Sequence, residues 1–401
     1  MLPRQMTLTS RSVRPSRRYF IETATCCVPS WVGYANIAQR HMPKESFTLG
    51  VTVGAFAIVI VMRSAYLIEP RKIEIRDVPD PKLESGEVLV RIERALTCGT
   101  DLKAYRRGHP LIPMPGPFGH QYAGEVAAVG QEVKGFEIGM PVWGVQSGPC
   151  GQCRQCQKQR YSLCPELQTD MAFGAFAEYL RLPARVVRQN LLGRPPDIPA
   201  QRAAFLEPVS CVVHALERID WQGVDRVLVL GLGAMGLLFC QLLPHYTHAA
   251  IVAGGRNPQR LAIARGYGLE QVLDVEEISL KDQLEGDRGV DCVIECTGQI
   301  DGWHAALGTV DAGGQVLFFG GLPQGTVLEI DTFQLHYQET RVLGSFHFGP
   351  PDVRKAARLL ENSEVRVDDL ISGEMGLDDL ESALKQMEAG QGIKYAIDPW
   401  M

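Results

Sequence analysis

The chain's 401 residues suffice for two domains with sizeable cores. With 45% hydrophobic and 21% charged residues, its composition is that of a globular protein and excludes a disordered one. A formal net charge of −6 argues against nucleic-acid binding. That charge is uneven: residues 1–61 carry seven basic and two acidic groups, a net of +5, which leaves −11 for the remainder. Two compositionally different pieces are joined.

In residues 1–61, Arg and Ser dominate the first eighteen positions and acids are absent from them, a pattern shared with organellar transit peptides. The uncharged run from Ser46 to Met62 is 17 residues long, the lower limit for spanning a bilayer. It passes without a linker into Arg63-Ser-Ala-Tyr-Leu-Ile, which reads as a first strand. We expect the working protein to begin at Met62, with residues 1–61 outside the fold and the body cytoplasmic, away from membranes. Organelle targeting or membrane anchoring through residues 1–61 is the alternative.

From Arg63 to about Val145 short apolar runs, Glu87 to Ile92 and Gly124 to Val129, are bounded by Gly and Pro, as in a β-rich domain. Pro110 to Gly119 holds four prolines and reads as a loop. Around it lie Cys98-Gly-Thr-Asp101, then Gly119-His120-Gln121, and much later Glu207-Pro208. A catalytic zinc needs three protein ligands and one open position. Cys98 and His120 supply a soft and a borderline donor, and Glu207 is the candidate third. Asp101 could hold the His120 ring by its other nitrogen, or simply cap a turn. Thr100 could pass a proton toward solvent, or be an ordinary cap.

Cys150, Cys153, Cys156 and Cys164 follow, spaced C-x2-C-x2-C-x7-C. Four thiolates so close in sequence suit a tetrahedral Zn2+ with no open position, a structural site. Adjacent C-x2-C pairs make poor disulfide partners, and nothing else suggests an oxidising compartment.

Arg226 to Leu230 reads as a buried strand. It leads into Gly231-Leu-Gly233-Ala234-Met235-Gly236 and an apolar helical stretch, the G-x-G-x-x-G fingerprint in its strand–turn–helix context. A second strand, Ala249 to Ala253, ends in Gly254-Gly255-Arg256-Asn257, with Arg260 a turn beyond. An NAD site usually has an acid there. A small residue plus Arg suits a 2′-phosphate, so NADP is favoured and NAD stays possible. Further strands end in Cys296-Thr297-Gly298 and Gly320-Gly321, which makes Thr297, Gly298 and Gly320 candidate cofactor-loop positions. Cys211, Cys240, Cys292 and Cys296 read as core thiols. Arg341 to Phe348 reads as a strand leaving this domain and Lys394 to Asp398 as a final strand. The chain thus rejoins its first domain and brings His347 near the cleft.

The ordered set Cys98-Gly-Thr-Asp, Gly119-His120, the four-Cys lobe, Glu207-Pro208 and Gly231 to Gly236 resembles the zinc-dependent medium-chain dehydrogenases/reductases, from Met62 to Met401. Glu207-Pro208 and Gly344-Ser-Phe-His347-Phe are most like the polyol and threonine dehydrogenase branch. The resemblance implies an α/β protein in which a GroES-like β-rich catalytic domain (62–208, returning at 345–401) is split by a Rossmann doubly wound parallel-sheet domain (209–344). It implies two zinc ions per chain, a homodimer or homotetramer, and a small-molecule substrate, a secondary alcohol that is a polyol or sugar. It makes Cys98 and His120 zinc ligands, and Glu207 either the third ligand or the group beside it. Two positions depart from the family: Gln121 stands where Glu is common, and Lys103 where alcohol dehydrogenases often place a relay His. Alternatives are a threonine or simple-alcohol dehydrogenase of the same family, or a non-catalytic nucleotide-binding homologue.

Overall fold

The computed structural model describes residues 18–22, 57–276, 280, 284 and 289–401. Three sheets organise them. A six-stranded sheet runs in spatial order Gln271–Asp274, Ala250–Gly255, Arg226–Leu230, Cys292–Glu295, Gln315–Phe318, Arg341–Gly344. Every pairing in it is parallel. Its central strand Arg226–Leu230 is buried throughout, as expected where helices cover both faces.

The second sheet is mixed. Its order is Ile371–Gly376, Lys394–Asp398, Val88–Leu96, Tyr122–Val129, Pro141–Gly144, Leu192–Gly193, and Tyr179–Leu182 also pairs with Val88–Leu96. The last strand of the chain therefore lies beside an early one, with Ile397 opposite Ala95. The strand after the parallel sheet returns to the sheet that precedes it.

The third sheet holds Arg18–Glu22, Ala57–Glu69 and Lys72–Pro79. The sequence reading starts the first strand at Arg63; the strand begins at Ala57, because Ile-Val-Ile-Val before Met62 is a β-branched run that favours a pleated conformation. Arg18–Glu22 pairs antiparallel with its first part, Arg18 opposite Val61. Most of the Ser46–Met62 run, and the targeting and anchor readings that rest on it, lie outside the described residues. Among the described residues no helix is long and apolar enough to cross a membrane.

The helix Leu206–Leu216 joins the mixed and parallel sheets. Phe205, Leu206, Val209, Val212, Val213 and Leu216 recur at helical spacing and are fully buried. Each such side chain contributes roughly 1.5–3 kcal/mol on burial. They share one core with Leu96 and Trp143 of the mixed sheet and Val227 and Val229 of the parallel one. Glu207 is thereby fixed at the junction, on the first turn of a helix that cannot shift without opening both sheets.

Candidate active site and cofactor turn

Cys98 caps the helix Gly99–Arg107. Its backbone is extended, its Sγ accepts from the Thr100 N–H at 3.5 Å, and its own N–H donates to Asp101 Oδ2 at 2.9 Å. Asp101 is fully buried, and its other oxygen, Oδ1, lies 3.1 Å from His120 Nδ1, close but off the line of a hydrogen bond. The two sequence readings of Asp101 thus hold together: one oxygen caps, the other faces the imidazole. Burial pushes the Cys98 thiol up, but Lys394 and His120 outweigh it and the thiol lies below its ordinary value. Burial favours a neutral His120, yet Asp101 and then Cys98 hold the ring well above its usual range.

His120 is presented by a sharp turn. Gly119 has φ +94°, and a Cβ there would stand 2.6 Å from the Phe176 ring. Only glycine meets both demands.

Glu207 is almost fully buried, and both its oxygens are engaged. Oε2 accepts from Gln121 Nε2 at 2.7 Å, Oε1 from Gln146 Nε2 at 3.2 Å, and the Cys211 thiol lies 3.6 Å from Oε1. Gln121 in turn accepts at Oε1 from Lys394 Nζ at 2.7 Å, and Lys394 also donates to the Thr97 carbonyl at 2.9 Å. Cys98, His120 and Glu207 do not close into a tight set of three. Among the described residues the one group of at least three donors within 4.8 Å of one another is Cys150, Cys153, Cys156 and Cys164.

In that lobe the nearest sulfurs, Cys150 to Cys156 and Cys153 to Cys164, are 3.9 Å apart, about twice a disulfide bond. Backbone N–H groups of Cys150, Cys153 and Cys156 donate to sulfurs at 3.3–3.5 Å. Hydrogen bonds from the backbone of Gln152 and Cys153 lower the Cys150 thiol to about 6, whereas burial raises Cys156 to about 12. The donor set of thiols, two half-buried and two buried, fits a tetrahedral metal.

The cofactor turn follows the strand Arg226–Leu230. Gly231 has φ +101°, and a Cβ there would meet the Thr297 backbone at 2.9 Å. At Gly236 a Cβ would overlap the Gly231 carbonyl at 2.0 Å, while at Gly233 it would face open space. Space is thus left at Gly233, where the helix Ala234–Leu242 begins and its first N–H groups suit an anionic phosphate. Ala234 and Met235 are half-buried in that first turn.

Gly255, at the tip of the next strand, packs on Leu232, and Arg256 beyond it is exposed. Arg260 is differently placed: it donates to the Gly392 carbonyl at 2.9 Å, and Asn257 donates to the Gly390 carbonyl at 3.0 Å. One nitrogen of Arg260 therefore ties the parallel-sheet side to the segment before Lys394–Asp398.

Thr297 and Gly298 are shaped by Glu295, a fully buried carboxylate that accepts from the Thr297 N–H at 2.6 Å, the Thr297 hydroxyl and the Gly298 N–H at 3.2 Å. Burial raises Glu295 despite these bonds. Gly320 packs on Gly298. Lys103 spans the gap from the Gly99–Arg107 helix, with Nζ 3.2 Å from the Gly321 carbonyl. Its ammonium is pushed down by burial, against the pull of Cys98. His347 has φ +60°, stacks on Phe348, and sits 2.5 Å from the Ser147 hydroxyl. Loss of solvation drives its ring down to about 4, the nearby Glu207 pulling the other way. Thr100 is half-buried.

Sequence reasoning missed Gln146, Ser147, Cys211, Glu295 and Lys394 at the site. Read as a core thiol, Cys211 does pack against the core, as does Cys296, and it also faces Glu207 one helical turn away. Cys240 and Cys292 do lie in the core. A separate cavity of about 500 Å3 opens between His214, Arg218, Trp303, Leu322 and Phe346, and none of Cys98, His120 or Glu207 lines it.

The family profile for the alcohol dehydrogenase GroES-like domain matches residues 84–190, and that for zinc-binding dehydrogenase matches 234–362. The chain is 32% identical over 333 residues to an L-threonine 3-dehydrogenase of Shewanella frigidimarina, covering 80% of this chain and 95% of that one. It is 29% identical over 337 residues to a sorbitol dehydrogenase of Bacillus subtilis, covering 81% and 94%. A zinc-binding dehydrogenase of Sinorhizobium meliloti, solved bound to NADP, superimposes with a TM-score of 0.77 at 29% identity, covering 84% of this chain and 99% of that one.

Proposed function

Since the chain belongs to the zinc-binding alcohol dehydrogenase family, we propose that it moves a hydride between a secondary alcohol, a polyol or sugar, and NAD(P), with NADP preferred. The observation that carries this reading is that the helix Cys98 caps, with Asp101 beside His120, reaches the loops at the ends of the parallel strands, where Lys103 bonds the Gly321 carbonyl next to Gly298. The site residues fit a zinc ion. A thiol and an imidazole, both buried, form the soft and borderline donor pair, and Asp101 stands behind the imidazole as such a ring needs.

Cys98 and His120 would hold the catalytic ion, with Glu207 at the third position, and the four-Cys lobe would hold a second, structural one. Zn2+ supplies a Lewis acid that lowers the pKa of an alcohol, and the nicotinamide supplies the hydride acceptor. The chain's own residues do the rest. Asp101 fixes the His120 ring. Gly231, Gly233 and Gly236 would admit the pyrophosphate, Arg256 would bind the 2′-phosphate, and Thr297, Gly298 and Gly320 would line the cofactor loops. Thr100 opens a path for the hydroxyl proton, and His347, neutral and held by Ser147, walls the cleft.

The domain division at 208 and 344 belongs to this proposal. Strands between Arg226 and Gly344 build the parallel sheet alone, although the helix Leu206–Leu216 runs across the first boundary. So does self-association as a homodimer or homotetramer. Phe333, Tyr337 and Val342 are exposed on the sheet's edge strand Arg341–Gly344 or on the helix just before it, which suits a second copy.

The test is formation of reduced cofactor with polyols, sugars, threonine and simple alcohols, with NADP and NAD in parallel. Turnover of a polyol with NADP is expected. The identity to a threonine dehydrogenase favours one second reading, threonine as substrate, which activity on threonine alone would establish.

A further inference from the structure

Gln121 has both ends of its amide committed inside the protein. It is fully buried, Lys394 is 1% exposed and Glu207 6% exposed, so none of the three has water to fall back on. Lys394 has donors only, and one of them is 2.7 Å from Gln121 Oε1. Glu207 offers acceptor oxygens, and one of them is 2.7 Å from Gln121 Nε2. The amide therefore has one orientation: oxygen to the lysine, nitrogen to the carboxylate. Turning the oxygen toward the Cys98–His120 pair would strip a buried ammonium of one acceptor and a buried carboxylate of one donor. Leaving such a group unpaired is costly. Lys394 is itself held from the other side by the Thr97 carbonyl at 2.9 Å, one residue before Cys98. Gln146 secures the second oxygen of Glu207.

We propose that Gln121 is a positioning residue and not a metal donor: a relay Lys394–Gln121–Glu207 sets where the Glu207 carboxylate stands. The inference rests on the zinc reading above and deepens it. It also accounts for glutamine at 121. A carboxylate there would accept from Lys394 equally well, but it would face Glu207 across 2.7 Å, where the two could stand together only by taking up a proton between them.

Cobalt(II) loaded into the purified full chain gives the test, read by its visible absorption and by competition with a chelator. Cys98→Ser marks which band belongs to the Cys98–His120 site. A donor role for residue 121 requires Gln121→Glu to tighten cobalt binding there, because carboxylate is the stronger ligand. The relay requires the opposite, weaker binding by about 10- to 100-fold, the usual cost of disturbing an outer partner of a metal ligand. Lys394→Met and Gln121→Leu should shift the same band, the double variant should be no worse than either single one, and Lys394→Arg should restore the wild-type spectrum. Tighter binding in Gln121→Glu, or an unchanged band in Lys394→Met, overturns the relay while the zinc reading survives. Wild-type protein with no cobalt band sensitive to Cys98→Ser overturns the zinc reading, and the relay with it.

Discussion

The two candidate metal sites are built in opposite ways. Cys150, Cys153, Cys156 and Cys164 come from 15 consecutive residues, and their sulfurs are gathered by the backbone itself through N–H···S bonds. Cys98, His120 and Glu207 come from three separated elements, and Lys394, which steadies them through Gln121, lies 273 residues beyond Gln121. A lobe of the first kind is complete once its own loop is formed. A site of the second kind exists only after two sheets and the chain's last strand have assembled, so its geometry reports the state of the whole molecule.

If that contrast is right, the two metals are lost separately. Cys98→Ser should remove one zinc of two and lower turnover by more than about 100-fold, beyond the loss of an outer partner. Serine still caps the helix, so thermal unfolding should move little. Metal analysis beside a melting curve checks both. Cys156→Ala should do the reverse to the metals, losing the lobe's zinc. It should also lower the melting temperature, since metal binding at such a site is folding free energy. Equal loss of both metals in either variant would break the comparison.

A finer test concerns Asp101, which serves a local cap and a distant ring at once. Asp101→Asn should retain the Cys98 cap and cost turnover about 10- to 100-fold by weakening the hold on His120. Steady-state kinetics with metal content measured alongside separates this from simple unfolding. The smallest effect is expected at the cofactor turn, which is local like the lobe. Arg256→Ala should reduce kcat/KM with NADP by about tenfold, at the low end of a charge-assisted hydrogen bond, and leave NAD turnover unchanged. Parallel kinetics with the two cofactors reads the ratio.

How much could be read beforehand follows the same division. The Cys lobe and the Gly231 to Gly236 turn declare themselves because every residue they need is a neighbour in sequence. Asp101 offered two alternative readings, a cap by its spacing from Cys98 and a partner for the His120 ring; the fold adds that one carboxylate faces both, Oδ2 toward Cys98 and Oδ1 toward His120. Lys394, Gln146 and Ser147 carry no local signature, and their roles arise from sheet pairing across 61 to 273 residues. Arg260 makes a distant contact of the same kind. Its distance from the strand tip suits a phosphate, whereas the fold turns it toward Gly392. The first strand was placed six residues late because an uncharged β-branched run resembles a membrane segment as closely as a strand.

The hydrogen bonds from Asn257 and Arg260 to the carbonyls of Gly390 and Gly392 have one further consequence. Their acceptors are the main-chain carbonyls of two glycines, one at φ +73° and the other with a Cβ position 2.5 Å from the Tyr395 hydroxyl, so the tie depends on those two glycines as well as on its two donors. Arg256, four residues before Arg260, is exposed and outside the tie. On the proposed role of Arg256, cofactor preference is then free to drift by single substitutions at 256 without touching the bond between Arg260 and Gly392. The same drift attempted at 260 would have to be matched by compensating changes elsewhere, which makes one arginine evolutionarily cheap to vary and the other hard to replace.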